Sequence, residues 1–124
     1  VSVPTPFAFS KNVLLLEFIG NGSSVAPKVK DSLPKNPKAF FDRIVDNMRR
    51  LRKAGLVHAD LSQFNILNHN EMPVFIDFSQ CAPLESSRAE EYLERDIRNI
   101  CNFFKKNGLA VDERDVKAQI LSEV

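Results

Sequence analysis

The sequence predicts an α+β domain, mostly helical, with one short β-hairpin. Three stretches carry that reading. Residues 36–55 and 86–108 each repeat apolar side chains at helical spacing between a start and a stop signal. Between them, Ile66-Leu67 and Val74-Phe75-Ile76 form two short apolar runs separated by the polar Asn68-His69-Asn70-Glu71. The chain has 124 residues, room for one domain or part of one.

The first helix is expected to open at Asn36-Pro37, with Asn as cap and Pro at the first helical position. Phe40, Phe41, Ile44, Val45, Met48 and Leu51 then mark its buried stripe, and Gly55 its end. Arg49, Arg50, Arg52 and Lys53 load the last turns, where positive charge suits the helix dipole; a solvated helix end is the expectation. The second helix is expected to start near Ser86 or Ser87 and run to about Asn107. Its stripe is Ala89, Leu93, Ile97, Ile100, Phe103 and Phe104. A shorter helix beginning at Asp112 carries Val116, Ile120 and Leu121. Upstream, Val13 to Ile19 reads as a strand ended by Gly20 and Gly22, and residues 20–37 read as a polar connector.

Composition narrows the function classes. Hydrophobic residues at 44% and charged residues at 27% support a packed core rather than disorder. A formal net charge of +1 excludes a strongly basic nucleic-acid arm as the main activity. Cys81 and Cys101 form no CxxC pair and have no adjacent His, so both read as packing residues. No apolar run approaches the ~20 residues of a membrane helix, and no signal peptide is evident. A cytoplasmic protein, or a fragment of a longer one, is expected.

One constellation carries chemistry. His58-Ala59-Asp60-Leu61-Ser62-Gln63-Phe64-Asn65 has the spacing His-x-Asp-x4-Asn, and Asp77 follows the apolar run Val74-Phe75-Ile76. Singly, Asp60, Ser62 and Asn65 are ordinary turn residues. Together they supply what phosphoryl transfer needs: a carboxylate to orient a nucleophile and oxygen ligands for a phosphate-bridging metal. Antiparallel pairing of the hairpin would bring Asn65 and Asp77 to the same end. His58 is expected to brace the loop through backbone hydrogen bonds, His69 to be a surface residue, and Ser62 either to brace the loop or to meet a phosphate.

The strand Asn12 to Gly20, the loop His58 to Asn65, Ile76-Asp77-Phe78-Ser79-Gln80 and the run Tyr92 to Ile100 with Phe103-Phe104 resemble the RIO family of atypical serine kinases, and within it the type-one branch. The resemblance implies a protein-kinase-like C-terminal lobe plus the hinge strand, with the N-terminal lobe largely missing. It divides the chain into a hinge strand and remnant at 1–20 and the lobe at 21–124. It implies that Asp60 is the catalytic aspartate and that Asn65 and Asp77 are metal ligands, Asp77 also being able to accept phosphate. Leu16 matches the back of the adenine pocket, and Glu17 and Ile19 match the hinge that bonds the adenine edge. Ser62 and Ile76 join them as nucleotide contacts. The implied activity is that of an ATP-dependent serine/threonine kinase or ATPase using Mg²⁺ or Mn²⁺. The implied partners are a pre-ribosomal small subunit and a protein substrate or the protein itself, with no membrane.

Departures from the family pattern are Gln63 in place of Glu and the lack of a Gly-rich loop and of its phosphate-binding lysine. Little activity is therefore expected of this stretch alone. Ile19, Leu67 and Ile76 are expected to offer an apolar face to adenine, sticky when uncovered. Two other readings stay open at this point: a small-molecule phosphotransferase of the aminoglycoside or choline type, and a non-catalytic ribosome-binding module.

Overall fold

The computed structural model describes residues 26–122. The strand expected at 13–19, with Leu16, Glu17 and Ile19, lies outside the described residues, as does the proposed segment 1–20.

The described residues are α+β, with three helices and two small antiparallel sheets. Helix α1 spans Pro37–Lys53. Its start is the one the sequence signals: Asn36 Oδ1 accepts from Ala39 N at 3.2 Å, and Pro37 occupies the first turn. Its end is a positive-φ residue, Gly55 at +89°. The basic residues near that end lie on the outside, where Asp46 pairs with Arg50 at 3.1 Å and Arg49 at 3.5 Å.

Strand β1 (Leu56–Val57) pairs antiparallel with β4 (Ala82–Pro83), a sheet with no periodic signal because each strand has two residues. Strands β2 (Ile66–His69) and β3 (Met72–Phe75) form the expected hairpin, with Ile66 opposite Phe75 and His69 opposite Met72. β2 runs two residues past its apolar run into the polar stretch, and β3 begins two residues before its own. Only Asn70 and Glu71 are left as the turn, at φ of 51° and 69°, the handedness that matches strand twist in a two-residue hairpin. Asn68 Oδ1 accepts from Glu71 N at 2.9 Å. The Glu71 carboxylate in turn accepts from Lys35 N at 2.8 Å and Asn36 N at 3.2 Å. The hairpin tip is thereby fastened to the start of α1.

The connector is less of a loop than its composition suggests. Val29 N donates to Ile66 O and Asn68 N donates to Pro27 O, each at 2.8 Å. Residues 27–29 thus line the free edge of β2, and Val29 is buried. This corrects the expectation for Leu67: it is 5% exposed, so it offers little apolar surface to a nucleotide. Ile76 is half-buried and His69 is exposed, as expected.

Helix α2 spans Ala89–Lys106. It starts two to three residues later than expected because Ser86 serves a turn instead, its Oγ accepting from Arg88 N at 3.3 Å. Helix α3 spans Glu113–Leu121, capped by Asp112, whose Oδ1 accepts from Arg114 N at 2.8 Å. The core lies where the three helices meet. Phe41 and Phe104 pack edge to face at 5.2 Å, with Val116 and Ile120 of α3 in the same cluster. Cys81 and Cys101 form no disulfide, and burial pushes the Cys101 thiol up to about 11. No helix among the described residues is long and apolar enough to cross a membrane.

Asn36→Ala removes the side-chain acceptor for Ala39 N at the start of α1 and is expected to lower unfolding stability by about 1 kcal/mol. Urea unfolding followed by circular dichroism checks this; an unchanged midpoint would show that the turn contacts from Glu71 suffice to hold the helix start.

Candidate active site

The loop between β1 and β2 is held from behind by one face of α2. Asp96, at the middle of that helix, is fully buried. Its carboxylate oxygens accept from Ala59 N at 2.8 Å and Leu61 N at 3.0 Å, the two amides flanking Asp60. Arg95 Nη2 donates to Ala59 O, and Asn99 Nδ2 donates to Leu61 O at 3.3 Å. Both backbone groups on each side of Asp60 are thus taken by three side chains of α2. The grip holds Ala59 at φ 72°, a conformation that costs a residue with a Cβ about 1 kcal/mol or more. The side chain of Asp60 is left exposed.

His58 braces the same loop from the other side. Its Nε2 lies 2.8 Å from Ile76 O, and its Nδ1 accepts from Asp60 N at 3.2 Å. A carbonyl can only accept and an amide can only donate, so one neutral tautomer, protonated at Nε2, meets both. Burial lowers the imidazole's pKa below 6.5; the bond to Ile76 and the charges of Asp60 and Asp77 oppose this more weakly. The ring packs against Phe78 at 4.9 Å between centroids. This is bracing rather than proton transfer: both ring nitrogens are already engaged by backbone.

The hairpin register assembles the rest. Ile76 N donates to Asn65 O at 2.9 Å, which extends the β2–β3 ladder by one pair and sets Asn65 beside the residue preceding Asp77. Asn65 Nδ2 donates to Asp60 O, joining the loop's carboxylate residue to the hairpin base. Asp77 turns out of the strand in a left-handed conformation, φ 61°, and Ser79 Oγ donates to its Oδ1 at 2.9 Å. Ser62 Oγ accepts from Phe64 N at 3.2 Å, so its oxygen braces the loop while its proton can still be donated.

Asp60, Ser62, Asn65, Ile76 and Asp77 therefore belong to one end of the hairpin. Leu16, Glu17 and Ile19 fall outside the described residues. The donor set suits a hard divalent cation: with Nδ2 committed to Asp60 O, the Asn65 amide has its oxygen to offer, and the Asp77 carboxylate is exposed. No group of three His, Cys, Asp or Glu side chains is placed to hold a metal ion among the described residues. A cation here would complete its shell with phosphate oxygens and water, as magnesium usually does. Sequence reasoning missed the grip of Arg95, Asp96 and Asn99. A signal was present: Asp96 falls on the same stripe as Leu93, Ile97 and Ile100, and a carboxylate on a buried stripe needs donors.

The family model for the RIO domain matches residues 1–117. The RIO-type serine/threonine-protein kinase Rio1 of Thermoplasma acidophilum is 39% identical over 97% of this chain and 63% of its own length. The serine/threonine-protein kinase RIO1 of Saccharomyces cerevisiae is 35% identical over 99% of this chain and 27% of its own. The chain therefore spans less than two-thirds of these relatives. Among solved structures, the Rio2 kinase from Chaetomium thermophilum superposes with a TM-score of 0.63 at 25% identity, over 80% of this chain and 35% of that one. Its ADP/Mg²⁺-phosphoaspartate complex superposes with a TM-score of 0.58 at 27% identity, over 77% and 33%.

Burial pushes the Asp96 carboxyl up to about 6 from 3.8, against the two amide bonds and Arg95, which pull it down. Between those values the native carboxyl keeps a proton that the unfolded one has lost. This group therefore makes the fold less stable as pH rises through that window. Asp96→Asn is expected to flatten that part of the stability–pH profile. Losing one acceptor for a buried amide also costs about 1–3 kcal/mol. Urea midpoints between pH 4 and pH 7 test both; parallel profiles for the two proteins would contradict the assignment.

Proposed function

Because this chain belongs to the RIO domain family, we propose that it is the catalytic lobe of an ATP-dependent serine/threonine kinase or ATPase. The observation that carries this is the register that sets Asn65 beside Ile76, next to Asp77, with Asn65 also bonded to the carbonyl of Asp60. One oxygen-rich end of a hairpin thereby meets one exposed carboxylate on a rigid loop.

The roles follow from the chemistry of each group. Asp60 accepts a hydrogen bond from the attacking hydroxyl, of a serine or of water, and orients its lone pair toward the γ-phosphorus. The new O–P bond forms as the bond to the bridging oxygen of ADP breaks, and the hydroxyl proton passes toward Asp60. Asn65 and Asp77 would hold Mg²⁺, or Mn²⁺ in its place. When bound, it neutralises charge on the phosphate oxygens. Ser62 is placed to donate to a phosphate oxygen, and Ile76 to lie against the adenine together with Leu16, Glu17 and Ile19 of the hinge. Asp77 is also a candidate phosphate acceptor. Ser79 engages its Oδ1, which leaves Oδ2 as the free nucleophile. A phosphoaspartate is named for the Rio2 complex.

Residues 1–20 are read as the hinge strand with a remnant of the N-terminal lobe, and 21–124 as the C-terminal lobe. The whole protein is read as a cytoplasmic factor that engages the pre-ribosomal small subunit. A protein substrate, or itself, receives the phosphate.

In the full-length protein, Asp60→Asn is expected to lower phosphate transfer and ATP hydrolysis at least a hundredfold while leaving the fold intact. Asp77→Asn should abolish both, along with any acid-stable, hydroxylamine-labile label from γ-³²P-ATP. Undiminished turnover in either variant would overturn these roles. Chelation by EDTA should stop turnover in the wild type, and Mn²⁺ should restore it as well as Mg²⁺.

A further inference from the structure

Asp77 sits at a bend that its neighbours hold in place. It follows the hairpin at φ 61° and opens the short helical turn Phe78–Gln80. Phe78 anchors that turn: it is buried, and its ring centroid lies 4.9 Å from that of His58. Cys81 N closes the turn on Phe78 O at 3.0 Å. An aspartate at the start of a helical turn commonly caps the turn's amides, but Asp77 makes no such bond. The side chain that meets it is Ser79, whose hydroxyl donates to Oδ1 at 2.9 Å. Asp77 and Ser79 are both exposed, so a phosphoryl group and water can reach the carboxylate.

That hydrogen bond changes strength over a phosphorylation cycle. To form an acyl phosphate, a lone pair of Oδ2 attacks the γ-phosphorus, and the bond from phosphorus to the bridging oxygen breaks with its electron pair leaving on ADP. Oδ1 then becomes a neutral carbonyl oxygen. To break the acyl phosphate down, water attacks phosphorus and the bond from phosphorus to Oδ2 breaks, its electron pair returning to the carboxylate. The oxygen and both hydrogens of the water leave in dihydrogen phosphate. A hydrogen bond to a charged oxygen is about twice as strong as one to a neutral oxygen. The Ser79 hydroxyl therefore stabilises the free carboxylate, and the transition state leading back to it, more than the acyl phosphate. An interaction that strengthens on the way to the transition state speeds that step.

We propose that Ser79 is a positioning residue that keeps an aspartyl phosphate on Asp77 short-lived: its hydroxyl holds Oδ1, leaves Oδ2 for the phosphorus, and favours the return of charge to the carboxylate. This rests on the reading of Asp77 as a phosphate acceptor. Ser79 thereby tilts the protein toward hydrolysis of ATP and away from storage of phosphate on its own aspartate.

The full-length protein is labelled with γ-³²P-ATP, freed of nucleotide by rapid gel filtration, and its hydroxylamine-labile label followed over time. Decay is read on the isolated phosphoprotein, with no ATP present. Ser79→Ala is expected to carry more label at steady state and to lose it roughly fivefold more slowly than the wild type, as befits one lost hydrogen bond to a developing charge. Ser79→Thr, which keeps the hydroxyl, should restore wild-type decay; Ser79→Gly replaces the alanine variant if that one does not fold. A serine that only shaped the turn would give the opposite sign, less label in Ser79→Ala, because the acceptor itself would be misplaced. That result, equal decay in Ser79→Ala and wild type, or no restoration by threonine would overturn the proposal and leave Asp77 as an acceptor. No label in any of the proteins, or label that survives Asp77→Asn, would overturn the reading of Asp77 and the proposal with it.

Discussion

The carboxylate of Asp96 and the two amides it accepts are the contact on which the rest of the site depends. A loop that exposes an aspartate must leave its own backbone groups without partners or find them elsewhere. Here the partner is a helix 35 or more residues further along the chain. Burying a carboxylate is costly, and two amide bonds with Arg95 nearby offset that cost. Ala59 keeps its positive φ because its N–H and its carbonyl are both held by α2.

The second constraint is register. A one-residue slip of β2 against β3 would turn every side chain of the hairpin over, and Asn65 and Asp77 would part. Three features act against a slip. The Asn70-Glu71 turn fixes the loop length, the Glu71 carboxylate ties that turn to α1, and residues 27–29 line the outer edge of β2. The position of Asn65 and Asp77 is thus decided some distance away, at the hairpin tip and in the connector.

Much of this was legible in the sequence, and for physical reasons. The helices were, because Asn36-Pro37, Asp112 and the apolar stripes encode caps and faces locally. The hairpin and the register that sets Asn65 beside Ile76 were, because alternation and spacing determine which ends meet. The β1–β4 pair was not, since two residues carry no period. Neither was the burial of Leu67, which depends on a connector whose prolines and charges suggest solvent. The grip of α2 on the loop showed only in the run Glu94-Arg95-Asp96 and in the place of Asp96 on a buried stripe, neither of which names its partners. Contacts between residues so far apart leave no local pattern.

The central claim is that Asp60, Asn65 and Asp77 share one metal–nucleotide site. Paramagnetic broadening by Mn²⁺-ATP in the ¹⁵N spectrum of this chain tests it most directly, because it detects weak, fast-exchanging binding. Selective loss of the Asn65 side-chain amide and of the backbone amides of Asp77 and Asp60 is expected, reversed by excess Mg²⁺-ATP. Broadening spread evenly over exposed carboxylates, or centred on Glu113 and Asp115 of α3, would contradict it.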